Sequence, residues 1–216
     1  MIETVLSRKN VELRLKITVK TLISAGVIAL AVILPQIVHI AAGAEGGMRW
    51  LPMYLPVLLG GCLLGWRWGL AAGILSPLVS FGITSLTGNA MPAAARLPYM
   101  IAELAVFAAV SGMFSEKLLD NSWLAFPAVL LASVSGRAVF LALAAVFQSV
   151  SPLSASLAWS QIQTGLLGLI LQAVAIPFIV MLLCAVLKRE KINELSEVRQ
   201  NRHLRQRDRT GLRRLS

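Results

Sequence analysis

Long apolar runs separated by short polar breaks dominate the chain. A membrane-spanning helix needs about 20 mainly apolar residues, and we predict spans at about 21–40, 51–65, 68–86, 97–115, 123–148 and 159–187. The breaks are segments such as AAGAEGGMR, GWRWG and SVSPLSAS, which are rich in Gly, Pro or polar residues. The pattern predicts an all-α membrane protein, a six-transmembrane-helix bundle.

Charged residues lie almost entirely outside these runs. The chain is 57% hydrophobic and 14% charged, whereas an average globular chain carries about 25% charged residues. Of the 20 Lys and Arg, five lie in residues 1–20 and ten in residues 188–214. Lys and Arg accumulate on the cytoplasmic side of membrane proteins. We therefore expect both termini to be cytoplasmic, with a basic N-terminal segment (1–20), a membrane domain (21–187) and a basic cytoplasmic tail (188–216).

The net charge of +10 is explained by this topology, so we expect the basic segments to lie against the lipid bilayer and to bind no nucleic acid. The apolar run after Lys20 is too long for a secretory signal peptide and has no evident cleavage site, so we expect it to remain as a span. In the tail, the sequence KINELSEVRQNRHL is compatible with an extension of the last helix beyond the membrane.

Sequence motifs for catalysis or metal binding are missing. Cys62 and Cys184 stand in apolar runs without metal-ligand spacing. The chain has no His-Glu-x-x-His or Gly-x-Ser-x-Gly motif and no phosphate-binding loop. His39, with no second His or Cys nearby in sequence, is interpreted as a helix cap. We expect no cofactor, no metal and no enzymatic activity, and an intramembrane enzyme is the less favoured alternative.

Glu103 and Arg137 are the residues with a formal charge inside the predicted spans. Such groups are costly at membrane depth and are normally paired or turned toward a cavity. At about 1.5 Å per residue, Glu103, Arg137 and Gln172 lie roughly 10, 16 and 18 Å from the outer ends of their helices. Two hypotheses remain open: the three residues line an outward-facing pocket, or Glu103 and Arg137 only tie two helices together.

More polar and aromatic residues cluster toward the predicted outer rim. Tyr54 and Asn89 flank loops that would cover a pocket, whereas Trp50 and Trp159 are typical interface anchors. The rim also contains His39, Glu45, Arg49, Met91, Arg96, Tyr99, Gln161 and Gln163. The candidate substrate-binding residues are Glu103, Arg137, Gln172, Tyr54, Asn89, Tyr99, Arg96 and Gln163.

Small residues recur at intervals of four. Ala25 and Ala29 do so on the first span, and Gly61, Gly65, Gly69 and Gly73 do so around the GWRWG turn. Such spacing lets helices approach closely, either within the protein or against a partner. A membrane assembly protein that packs partners through these faces is therefore an alternative function.

Several segments in order carry a family resemblance: Ala25-x-x-x-Ala29 in a span ending LPQIVHI, then LPMYLPVLLGGCLLGWRWGLAAGILSPLVS, MPAAARLPYMIAELAVFAAVSGM and GLLGLILQAVAIPFIV. Together they resemble the substrate-binding S component of an energy-coupling factor (ECF) vitamin transporter. Tyr54 stands where that family often has His. These segments cover nearly the whole membrane part.

The resemblance implies capture of a vitamin or related micronutrient from outside a bacterial or archaeal cytoplasmic membrane. It further implies that the S component docks on a membrane T component coupled to two ABC-type ATPases, which hydrolyse the ATP. The first helix of the family faces the T component through small residues, which correspond here to Ala25 and Ala29. Pantothenate suits a Glu, Arg and Gln set, but so do other vitamins and nucleobase-like precursors.

Overall fold

Helices make up nearly all of the described chain. The computed structural model describes residues 1–2, 13–86, 88, 91–149 and 154–212. The helices are α1 (Leu13–Trp50), α2 (Tyr54–Leu64), α3 (Trp66–Leu86), α4 (Leu97–Met113), α5 (Ser115–Leu118), α6 (Ala125–Val146) and α7 (Ala155–Leu212). Short 3-10 turns at Ala94–Arg96 and Ser122–Leu124 precede α4 and α6. These described ranges contain no β-strand.

Among the described residues, six helical segments are long and apolar enough to cross a membrane: Arg14–Gly43, Glu45–Leu64, Trp66–Leu86, Ala94–Met113, Ser122–Val146 and Ala155–Arg189. Many large apolar side chains on these helices are exposed, among them Leu22, Ile40, Val134 and Phe178. This is the distribution expected where lipid is the solvent. The predicted all-α, six-helix, multi-pass membrane fold is confirmed.

The structure differs from the prediction at the first break. Segment 41–49, expected as a loop, is helical apart from a kink at Gly43, whose φ of 67° lies in the left-handed region. A second break lies at Leu51, which has a φ of 49°. The first span therefore ends at Gly43, close to the predicted residue 40. The difference from the prediction is that the second span begins earlier, at Glu45 rather than near Leu51.

The last helix is also longer than the predicted span and includes the segment KINELSEVRQNRHL. By its contacts the chain divides into two units, Met1–Val180 and Met181–Ser216. The first contains the helices of the bundle. The second, as far as it is described, is the remainder of α7.

Helix α4 lies at the centre of the first unit, because α2, α3 and α6 all pack against it. Glycines make these contacts close. A Cβ atom on Gly73 of α3 would lie 2.6 Å from the Leu104 carbonyl oxygen, and one on Gly61 of α2 would lie 2.6 Å from that of Ala108. The glycines spaced by four therefore serve packing within the protein, as small residues do in many membrane helices.

We predict that Gly73→Ala lowers the free energy of unfolding by about 1–3 kcal/mol, because the new methyl group meets rigid backbone. Gly82→Ala on the same helix is the matched control, since a Cβ there has nothing within 4 Å. Thermal unfolding of both variants in detergent measures the difference. Equal stability of the two variants would contradict the close α3–α4 contact.

Candidate functional site

A cavity of about 480 Å³ is lined by residues of α1, α2, α3, α4, α6 and α7 and of the segments that precede α2 and α4. Its volume is within the range of small-molecule sites, about 300–1,000 Å³. The walls are mostly apolar with a few polar groups. The lining residues are Pro35, His39, Gly47, Met48, Leu51, Pro52, Met53, Tyr54, Ser80, Met91, Pro92, Ala93, Arg96, Met100, Arg137, Phe140 and Gln161.

Three helices each contribute one residue to a buried polar network at the cavity wall. Tyr54 of α2 donates its hydroxyl hydrogen to Glu103 Oε2 of α4 at 2.5 Å. Arg137 of α6 places Nη1 2.9 Å from Glu103 Oε1, at ion-pair distance but without hydrogen-bond alignment. Tyr54 and Arg137 border the cavity, whereas Glu103 lies behind them and is fully buried. The two predicted intramembrane charges therefore form a tie, and one of them, Arg137, also borders a cavity.

Aromatic rings surround this network. The Arg137 guanidinium carbon lies 5.0 Å from the centroid of the Tyr54 ring and 6.0 Å from that of Phe140. The Phe107 ring meets Tyr54 edge-to-face at a centroid distance of 5.2 Å. A cation placed over a ring face in this way is attracted by the ring.

The ion pair does not satisfy all of the donors on Arg137. The residue is 8% exposed, and its Nε and Nη2 are buried without a hydrogen-bond partner. An unsatisfied buried donor costs about 1–3 kcal/mol. These two donors belong to a residue that borders the cavity, although the two atoms themselves are buried.

The rim segment Met91–Ala93 is anchored to α3. Ser80 Oγ donates to the Met91 carbonyl oxygen at 2.9 Å, and the Met91 N–H donates to Thr84 Oγ1 at 2.8 Å. Ser80 and Thr84 lie one helical turn apart, so both reach the same stretch of chain. The rim of the cavity therefore has a defined position relative to the bundle.

Arg96 supplies a second cation to the cavity, from the 3-10 turn before α4. Its Nη1 contacts the Met48 sulfur atom at 3.8 Å. Among the described residues, no carboxylate lies within ion-pair distance of Arg96. The Arg96 charge is thus available at the rim.

Gln172 was predicted, from its depth in the membrane, to line the pocket with Glu103 and Arg137, but it lies elsewhere. Its Nε2 donates to the carbonyl oxygens of Trp50 and Leu51, at 3.2 and 2.9 Å. A helix end leaves carbonyls without intrahelical partners, and Gln172 satisfies two of them where α1 ends. Gln172 is buried but is not among the lining residues.

Of the three other candidate binding residues, two are not found in the cavity wall. Tyr99 is buried against Phe140, Ala144 and Ala158 rather than in the cavity wall. Gln163 is exposed outside the cavity, where Gln161 is the lining residue. Asn89 lies outside the described residues.

Ala25 and Ala29 are exposed on α1. A Cβ on the neighbouring Gly26 would have nothing within 4 Å. This part of α1 therefore presents small side chains outward and leaves room for another helix to approach. Trp50 and Trp159 are exposed as well, in keeping with an anchoring position.

Sequence reasoning missed several wall residues because they carry no charge. Met53, Met100 and Phe140 look like ordinary lipid-span residues in sequence. Two signals were nevertheless present: Phe140 follows Arg137 by one turn on the same helix face, and Ser80 and Thr84 form a polar pair in an apolar run.

Comparisons with protein-family models, curated proteins and solved structures found no match. Among the described residues there is also no group of three or more His, Cys, Asp or Glu side chains placed to hold a metal ion.

We predict that Glu103→Gln and Arg137→Met are strongly non-additive. Each single change leaves a buried charge without its partner, which costs about 3–5 kcal/mol of unfolding free energy. The double variant should lose less than the sum by about 1–3 kcal/mol. The free energy of unfolding in detergent is measured for the unsubstituted protein, both single variants and the double variant.

The control cycle uses Glu45→Gln and Arg49→Met, because both residues are exposed on α1. Surface charges couple weakly, so these changes should add within about 0.5 kcal/mol. Additivity at Glu103 and Arg137 would mean that the two charges do not stabilise each other.

Proposed function

We propose that this protein is the substrate-capturing subunit of an ECF-type importer, binding a vitamin or related micronutrient from the outside. The observation that carries the proposal is the cavity, where a buried Tyr54–Glu103–Arg137 network meets apolar walls. In membrane proteins, ionisable residues inside the spans often mark the path or binding site of a transported solute.

The partners in this proposal are a membrane T component and two ABC-type ATPases. The exposed Ala25 and Ala29 on α1 favour docking of another membrane helix, since small side chains let backbones approach closely. The proposed location is the cytoplasmic membrane of a bacterium or archaeon, with both basic termini inside. No enzymatic activity is proposed for the chain itself.

A membrane assembly protein would use the same exposed face, but it has no need of the cavity. Its interior would gain stability from well-packed apolar residues, because a buried ion pair is often no better for stability than an apolar replacement. The partnerless donors on Arg137 favour ligand binding over pure packing.

We predict that the purified protein carries or binds a small organic molecule. The test identifies copurified molecules by mass spectrometry and measures thermal shifts with water-soluble vitamins and nucleobases. A ligand at about 100 times its Kd stabilises the folded state by about 2.7 kcal/mol. Absence of both a copurified molecule and any shift would contradict the proposal.

Two alanines in one exposed segment provide a matched pair for this test. Ala93 lines the cavity, and Ala95, two residues further on, does not. Ala93→Trp should fill the cavity and abolish the shift, whereas Ala95→Trp should retain it. Both variants should remain folded because both alanines are exposed.

We predict separately that Ala25→Trp spares ligand binding and blocks uptake, because the indole ring would hold a partner helix away from α1. Uptake of the copurified ligand by cells of the source organism is the measurement. Leu130→Trp is the control, since Leu130 is an exposed apolar residue on α6. Normal uptake by Ala25→Trp would remove the docking assignment.

A further inference from the structure

The partnerless atoms of Arg137 form one particular edge of the guanidinium group. Nη1 is engaged by Glu103, whereas Nε and Nη2 are without partners. Nε and Nη2 donate in the same direction, as two parallel N–H groups. This fork matches the two oxygens of a carboxylate. A single hydroxyl or carbonyl oxygen would satisfy only part of it.

The charge around the cavity also selects for an anion. Glu103 balances Arg137, while Arg96 adds a positive charge at the wall without a carboxylate beside it. No Asp or Glu is among the lining residues. In the formal charges of its Arg, Lys, Asp and Glu side chains, the site therefore has one excess positive charge. One negative charge on the ligand would neutralise it.

The remainder of the wall is suited to an apolar body. Met48, Met53 and Met100 line the cavity together with Phe140. Methionine side chains are flexible and polarisable, so they adapt to irregular apolar shapes. A highly hydroxylated solute would leave its own polar groups without partners along these walls.

We infer that the cavity binds a small monocarboxylic acid with an apolar body, whose carboxylate is held by the Nε and Nη2 edge of Arg137. This inference rests on the proposed function, because it names the substrate class of the same site. Nε and Nη2 are buried, so the guanidinium group must rotate slightly to present this edge to the carboxylate. Arg96 then lies over the rim and adds long-range attraction.

The test compares acids with neutral analogues of nearly the same shape. The pairs are nicotinate with nicotinamide, pantothenate with panthenol, and lipoate with lipoamide. Binding to the protein in detergent is measured by thermal shift and titration calorimetry. For at least one pair, the acid should bind about 10- to 100-fold more tightly than its neutral analogue, the range for a charge-assisted bidentate contact.

Arg137→Lys isolates the role of the fork. Lysine keeps the positive charge beside Glu103 and so avoids an unpaired buried carboxylate, but it lacks the planar pair of donors. Affinity for the acid should fall about 10-fold or more, while affinity for the neutral analogue should change little. Retained thermal stability of the free variant shows that the fold is kept.

Arg96→Gln tests the excess charge, and Arg49→Gln is its control, because Arg49 is exposed outside the cavity. Arg96→Gln should weaken acid binding about threefold to tenfold, since the contribution of a partly solvated charge is modest. Arg49→Gln should leave binding unchanged.

The outcomes separate this inference from the proposed function. Equal or tighter binding of the neutral analogues, or undiminished acid binding by Arg137→Lys, would overturn the carboxylate assignment and leave the capture function standing. If neither acids nor neutral molecules bind and nothing copurifies, the capture function fails and the inference fails with it.

Discussion

The centre of the bundle depends on one ion pair. An arginine in a lipid-facing protein is tolerable only with a counter-charge or a polar cavity, and Arg137 has both, through Glu103 and the space beside it. Tyr54 adds a hydrogen bond from a third helix. Because α2, α4 and α6 each supply one member, the network specifies how these helices are arranged as well as balancing charge.

Close helix contacts allow the pair to form. Gly61 and Gly73 bring α2 and α3 against the backbone of α4, and Gly136 brings α6 against the Phe107 ring. A Cβ at Gly136 would overlap that ring, one residue before Arg137 in the chain. The side chain of Arg137 reaches Glu103 because this approach is short. Packing by small residues and pairing of charges are therefore two parts of one arrangement.

Much of the fold was predictable because the membrane imposes simple rules on sequence. The length of the apolar runs sets the number of spans. A charge within a span needs a partner, and this rule identified Glu103 and Arg137 from the sequence alone. The position of Gln172 could not be predicted in this way. Its partners are carbonyl groups freed where the backbone breaks at Leu51, and such a break has no signature in side-chain polarity. The Met and Pro residues of the cavity wall could not be predicted either, because lipid-facing and cavity-facing apolar residues look alike in sequence.

Helix α1 carries two features that are far apart along its axis: Ala29 on the exposed small-residue face and His39 in the cavity wall. Each residue of an α-helix turns the chain by about 100°. Insertion or deletion of a single residue between Ala29 and His39 would therefore change the angle between the two side chains around the helix axis by about 100°. Many side chains in between, such as Leu30, Ile33 and Ile37, are exposed and apolar, so other apolar residues would serve equally well. In related sequences this stretch should accordingly vary in composition while keeping a constant number of residues.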